Sequence, residues 1–145
     1  MTWLELPLKR ALRVASPGGV AIKGAASQEP AEGLYPAYSA SGQDVWVSAE
    51  HATFNEAGLV LSAVGARCGK TFLAAGRWGV VANTAVLLPR PGHDPRFLWY
   101  ATNREDFWER GGTAQPYVLV GYTLDRSVPL PPLHEQRNLS TCMRH

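Results

Sequence analysis

The residues best suited to chemistry in this chain are cations set among glycines. Arg67 and Lys70 belong to Gly65-Ala66-Arg67-Cys68-Gly69-Lys70, and Arg77 follows Gly76 and precedes Gly79. Glycine lets a backbone turn tightly and approach a ligand closely, while long cations project from the turn toward oxyanions. Gly69 and Thr71, on the same turn, extend this set. A second polar turn, Tyr38-Ser39-Ala40-Ser41-Gly42, supplies hydroxyls, and Lys23 lies in the small-residue stretch 16–33. Binding to duplex DNA needs this mixture: cations and amides hold phosphates and fix register, and a few polar side chains reach base edges. An arginine at position 77 can pair with guanine O6 and N7, a contact worth about 1–3 kcal/mol of discrimination. A plainer reading stays open beside it, in which Arg77 solvates a turn and the hydroxyls cap turns locally.

Catalytic signatures are absent. No GxxxxGK[ST] loop, GxGxxG, HExxH, NPPY or DPPY string occurs. Cys68-Gly69-Lys70-Thr71 imitates only the tail of a phosphate-binding loop, because position 64 is Val and Gly65 comes one residue too late. His51, His93, His134 and His145 are scattered, and Cys68 and Cys142 have no metal-ligand spacing, so two free thiols and no bound metal or cofactor are expected. A small enzyme would need Cys68 as a thiolate activated by Arg67 and Lys70.

The elements that must position these residues read as one domain. The chain has 145 residues, 46% hydrophobic and 18% charged, with a formal charge of +2. That charge is unevenly spread: residues 31–56 carry four acids and no Lys or Arg, whereas 57–93 carry Arg67, Lys70, Arg77 and Arg90 and no acid. No stretch approaches the roughly 18 apolar residues of a membrane span, and the N-terminus lacks a secretory layout, so a soluble, cytoplasmic domain is expected. Residues 16–33 read as loop. The apolar runs 59–64 and 80–88 read as buried strands, with 71–75 between them, giving a strand-turn-strand meander. A helix is predicted from Asp94-Pro95 to about Arg110, with Phe97, Tyr100, Ala101, Arg104 and Trp108 on the face that packs against the sheet. The run Val128-Pro129-Leu130-Pro131-Pro132-Leu133 excludes helix and central strand and reads as a stiff exit strap.

Four blocks in order, Tyr35-Pro36-Ala37-Tyr38-Ser39-Ala40-Ser41-Gly42, LVLSAVGARCGKTF, HDPRFLWY, and GGTAQP followed by VPLPPLHEQR, resemble the methylase-S family. The resemblance runs from about Trp3 to Arg137. It implies an α/β (α+β) target recognition domain with a curved, mostly antiparallel sheet and flanking helices. It also implies a non-catalytic role in a type I restriction-modification system: reading one half of a split double-stranded DNA site for a partner methyltransferase that carries S-adenosylmethionine, and for a translocating nuclease subunit. In the family's terms Thr113, Gln115 and Pro116 form one structural block, where the two side chains are expected to brace the loop through backbone hydrogen bonds, and Pro131, Pro132, Glu135 and Gln136 form another. The expected domain spans 1–137. The family's Glu-Gln block opens a long spacer helix, and the tail 138–145 shows little apolar helical periodicity, which suggests a truncated subunit or one paired with a second specificity half or a second copy. The alternative reading is a truncated interaction module that docks on a methyltransferase or another specificity subunit without reading DNA.

Overall fold

The computed structural model describes residues 4–17 and 26–142. Lys23 lies outside them. Among the described residues the strands are β1 (Glu5–Pro7), β2 (Leu12–Pro17), β3 (Tyr35–Ser39), β4 (Gly42–Val47), β5 (Phe54–Asn55), β6 (Gly58–Ser62), β7 (Thr71–Ala74), β8 (Arg77–Val80), β9 (Thr84–Pro89), β10 (Arg110–Gly111), β11 (Tyr117–Val118) and β12 (Ser127–Pro129). The helices are α1 (Pro95–Thr102), the single turn α2 (Val120–Thr123) and α3 (Leu133–Cys142).

Two four-stranded sheets carry the molecule, ordered β2-β9-β6-β7 and β4-β3-β8-β5. Every pairing is antiparallel except β3 with β8. Strand β6 is buried at all five positions because both of its faces are covered. Leu59 and Leu61, with Leu87 of β9, point into a core shared with Phe97, Leu98, Phe107 and Trp108. Val60, with Val86 and Leu88, points the other way, onto Trp78, Val80 and Phe72. The first sheet is therefore a middle layer between α1 and the second sheet.

The predicted meander is only half present. β6 and β7 form the hairpin, but the chain then crosses to the second sheet for β8 before β9 returns beside β6. The apolar run 80–88 is correspondingly two strands. Asn83 breaks it with a left-handed φ of 68°, and the Thr84 hydroxyl donates to the Val81 carbonyl at 2.8 Å, a turn that periodicity does not reveal.

Helix α1 also ends earlier than predicted. The Asp94 carboxylate accepts from the Phe97 amide at 3.1 Å, as an N-cap should, but the helix stops at Thr102. There the Asn103 side chain accepts from the Thr71 amide at 3.0 Å, and the Trp108 indole N–H donates to the Thr102 carbonyl at 2.8 Å. The indole thus satisfies a C-terminal carbonyl that a longer helix would have bonded internally, and the Asn103 side chain ties the helix end to β7. The predicted inward face fails with it: Phe97, Leu98 and Thr102 are buried, Tyr100 and Arg104 are exposed, and Trp108 is buried from beyond the helix.

At the C-terminal side, β12 pairs with β1 in a two-stranded ribbon, compatible with proline only because it is an edge. Pro131 and Pro132 then lead into α3, which runs on through Asn138–Cys142 despite the weak apolar pattern there.

Candidate nucleic-acid interface

Three loops converge at the turn end of the β6–β7 hairpin. The first is the 65–70 turn, with Gly65 at φ 105° and Gly69 at φ 97°. The second is the β3–β4 hairpin turn, tied to the first by the Arg67 guanidinium, which donates to the Ser41 carbonyl at 3.4 Å. The third is the 112–116 loop, tied by the Gly65 amide donating to the Pro116 carbonyl at 2.8 Å and by a bridge between Val64 and Tyr117.

Arg67 is exposed and Lys70 half-buried, and among the described residues neither meets a carboxylate. Lys9, Arg13, Arg104, Arg110 and Arg126, in contrast, each face one. A cation without a counter-charge leaves a local positive field that suits a phosphate. Ser41 is exposed and Ser39 half-buried, but the Ser39 hydroxyl already accepts from the Ser41 amide at 3.0 Å, closing the turn.

Several sequence-predicted contacts turn out to be framework. Arg77 is not a free fork: Nε donates to the Ala52 carbonyl at 3.1 Å, Nη2 to the Ala49 carbonyl at 2.8 Å and Nη1 to the Tyr35 hydroxyl at 3.5 Å, with the guanidinium 4.5 Å from the centre of the Tyr35 ring. Its neighbour Gly79 belongs to β8 rather than to a turn, and a Cβ there would collide with the His51 carbonyl oxygen. The Tyr38 ring packs against Phe72 and Trp78, its hydroxyl donates to the Leu73 carbonyl at 3.3 Å, and burial raises its pKa. Thr71 is buried, its hydroxyl unpaired among the described residues and its carbonyl accepting from the Trp99 indole at 2.9 Å. Gly69 packs against the Glu105 backbone, and Gly42 against the Phe72 ring. Tyr38, Thr71, Gly69 and Gly42 shape the fold from within, whereas Arg77 is exposed but engaged by its partners.

Thr113 and Gln115 reverse their expectation in the other direction. Both are exposed, and among the described residues neither side chain forms a hydrogen bond. The bracing falls to the backbone and to Pro116 instead. In the second block Gln136 is fully buried: Oε1 accepts from the Asp94 amide at 2.7 Å, and Nε2 donates to the Pro131 carbonyl at 2.8 Å and to His93 Nδ1 at 3.1 Å. Glu135 is half-buried beside it, its amide donating to the Pro132 carbonyl at 2.9 Å. Cys68 is fully buried, so its thiol cannot reach a substrate as the enzyme reading requires.

An apolar groove of about 520 Å³ opens next to the third loop, lined by Ala63, Val64, Ala85, Tyr117, Val120 and Leu124 among others. Among the described residues no cluster of three metal-ligating side chains occurs, and no helix is long and apolar enough to cross a membrane.

The fold, a two-sheet α/β domain, is shared with chains of known structure from type I restriction-modification systems. The solved structures that share it include the S subunit from M. genitalium, with a TM-score of 0.75 at 16% identity over 99% of this chain. A chain from a structure on complex assembly and conformational transition of the type I R-M system gives 0.72 at 20% over 97%, and the HsdS subunit from Thermoanaerobacter tengcongensis gives 0.67 at 20% over 97%. The chain spans 38%, 37% and 36% of those three chains. No family pattern and no curated protein matches the sequence.

Proposed function

We propose that this chain reads a short half-site in double-stranded DNA as the target recognition domain of a type I specificity subunit. In this reading residues 1–137 are the recognition domain, and the chain is non-catalytic and needs no cofactor. It directs a methyltransferase subunit that carries out adenine methylation, and, in a full assembly, a restriction subunit and a second specificity half or copy. The cytoplasm is the corresponding compartment.

The observation that carries the proposal is the pairing of uncompensated cations with converging polar loops. Arg67 and Lys70 lack carboxylate partners among the described residues, and they stand where two other loops, bearing Ser39, Ser41, Thr113 and Gln115, are tied to their turn. Phosphate contacts from the cations fix register, and neutral polar groups beside them reach base edges. The fold shared with S subunits adds support.

The test is selection of the purified chain on random-sequence duplexes, followed by affinity measured against salt. The expected result is enrichment of a short motif whose binding falls steeply as salt rises, with Arg67→Ala lowering the slope of log affinity on log salt by about one. Flat, unenriched retention would sink the proposal and favour a role confined to docking on the methyltransferase or another specificity subunit.

A further inference from the structure

The 112–116 loop is built unlike a solvated connector. Gly112 takes a left-handed φ of 86°, and a Cβ there would run into the Gln115 carbonyl oxygen, so the turn is closed on itself. The Tyr117 ring lies against Gly111 and Gly112, where an added Cβ on Gly111 would come within 2.9 Å of it. Behind the loop, the Gly65 amide reaches the Pro116 carbonyl and the Val118 amide reaches the Ala63 carbonyl, both at 2.8 Å, seating it on the turn that carries Arg67. A backbone held this firmly presents two polar side chains, Thr113 and Gln115, that are exposed and make no hydrogen bond among the described residues. Ordering such side chains on a ligand is inexpensive when their backbone is already fixed.

The chemistry of the pair selects its ligand. A carboxamide has a donor and an acceptor in one plane, the pattern that matches adenine N6 and N7 in the major groove, and a threonine hydroxyl can complement a neighbouring base edge. Neither group is charged, so Arg67 is the stronger phosphate partner of the three. We propose that the 112–116 loop is a base-reading element in which the Gln115 carboxamide reads a base edge, flanked by Thr113, while Arg67 holds the adjoining phosphate. This rests on the DNA-reading proposal above and assigns discrimination to residues for which the sequence favours a bracing role.

The test repeats the random-duplex selection and the salt titration on the full chain with wild type, Gln115→Ala and Gln115→Glu. Gln115→Ala should lose roughly tenfold of discrimination at one base pair, with the salt slope and the thermal midpoint unchanged. Gln115→Glu should shift the preference at that same position toward cytosine, whose N4 amine is a donor. An unchanged motif in Gln115→Ala overturns the inference, as does a uniform weakening with a shallower slope, which marks a phosphate contact, or a lowered thermal midpoint, which marks a brace. If wild type itself enriches no motif, the DNA-reading proposal falls first, an outcome distinct from a wild-type motif that ignores Gln115.

Discussion

Arg67 and Arg77 sit among glycines in similar sequence surroundings, yet the structure puts them in opposite states. Arg77, though exposed like Arg67, is engaged by the 49–52 segment and by Tyr35, each of its three nitrogens donating to one of them. Arg67 makes one long contact to the Ser41 carbonyl and, among the described residues, meets no carboxylate. The two glutamines of the family blocks repeat the contrast, Gln136 buried with three partners and Gln115 exposed with none among the described residues. What separates the pairs is the presence of unpaired backbone carbonyls and amides nearby. The Ala52 carbonyl and the Asp94 and Pro131 backbone groups would lose a partner without these side chains, and a buried backbone group left unpaired is costly.

The contrast breaks most visibly at Gln136. Gln136→Leu keeps the volume but strands the Asp94 amide and the Pro131 carbonyl, and should lower stability by about 3 kcal/mol in urea unfolding. Gln115→Leu should stay within about 0.5 kcal/mol of wild type. Equal losses would show that the two glutamines do not differ in role.

Arg77→Ala comes next, with an expected loss of about 2 kcal/mol, because three donors and a ring contact disappear together. Arg77→Lys should recover little of it, since an ammonium cannot span carbonyls of Ala49 and Ala52 and the Tyr35 hydroxyl as a planar fork does. Arg67→Ala should leave the urea midpoint where it is and act on DNA affinity alone. A stability loss at Arg67 matching that at Arg77 would remove the distinction on which the interface is built.

Much of the fold was legible where a residue pattern has one physical solution. The run 59–64 reads as a buried strand and its first four residues lie in β6, and Asp94-Pro95 marks a helix start that the carboxylate does cap. Legibility failed where a distant partner decided. The end of α1 depends on Thr71 reaching Asn103 and on Trp108 reaching Thr102, contacts that local periodicity does not encode. The split of 80–88 hangs on one left-handed Asn. At the candidate interface, the glycine-bracketed cation at 67 was readable from type and spacing. The commitment of Arg77, the burial of Tyr38 and Thr71, and the exposure of Thr113 and Gln115 were not, because each depends on which loop folds over it.

The smallest expected effect concerns pH and reaches the same Gln136 junction through His93. Gln136 Nε2 can donate to His93 Nδ1 only while that nitrogen is unprotonated. Burial, and secondarily the Arg90 charge, hold the His93 pKa below its ordinary value of 6.5. The unfolded chain therefore takes up its proton first as pH falls. The stabilisation from neutral His93 is complete above the unfolded value and is lost as pH drops through the lowered folded one. Urea midpoints compared at about pH 7.5 and about pH 5 should fall further in wild type than in His93→Gln, which cannot titrate there. Carboxylates that begin to protonate at the lower pH act on both proteins alike, so the difference between the two falls isolates the imidazole. Parallel falls would mean that His93 titrates identically folded and unfolded, and would leave Gln136 held by its two backbone partners alone.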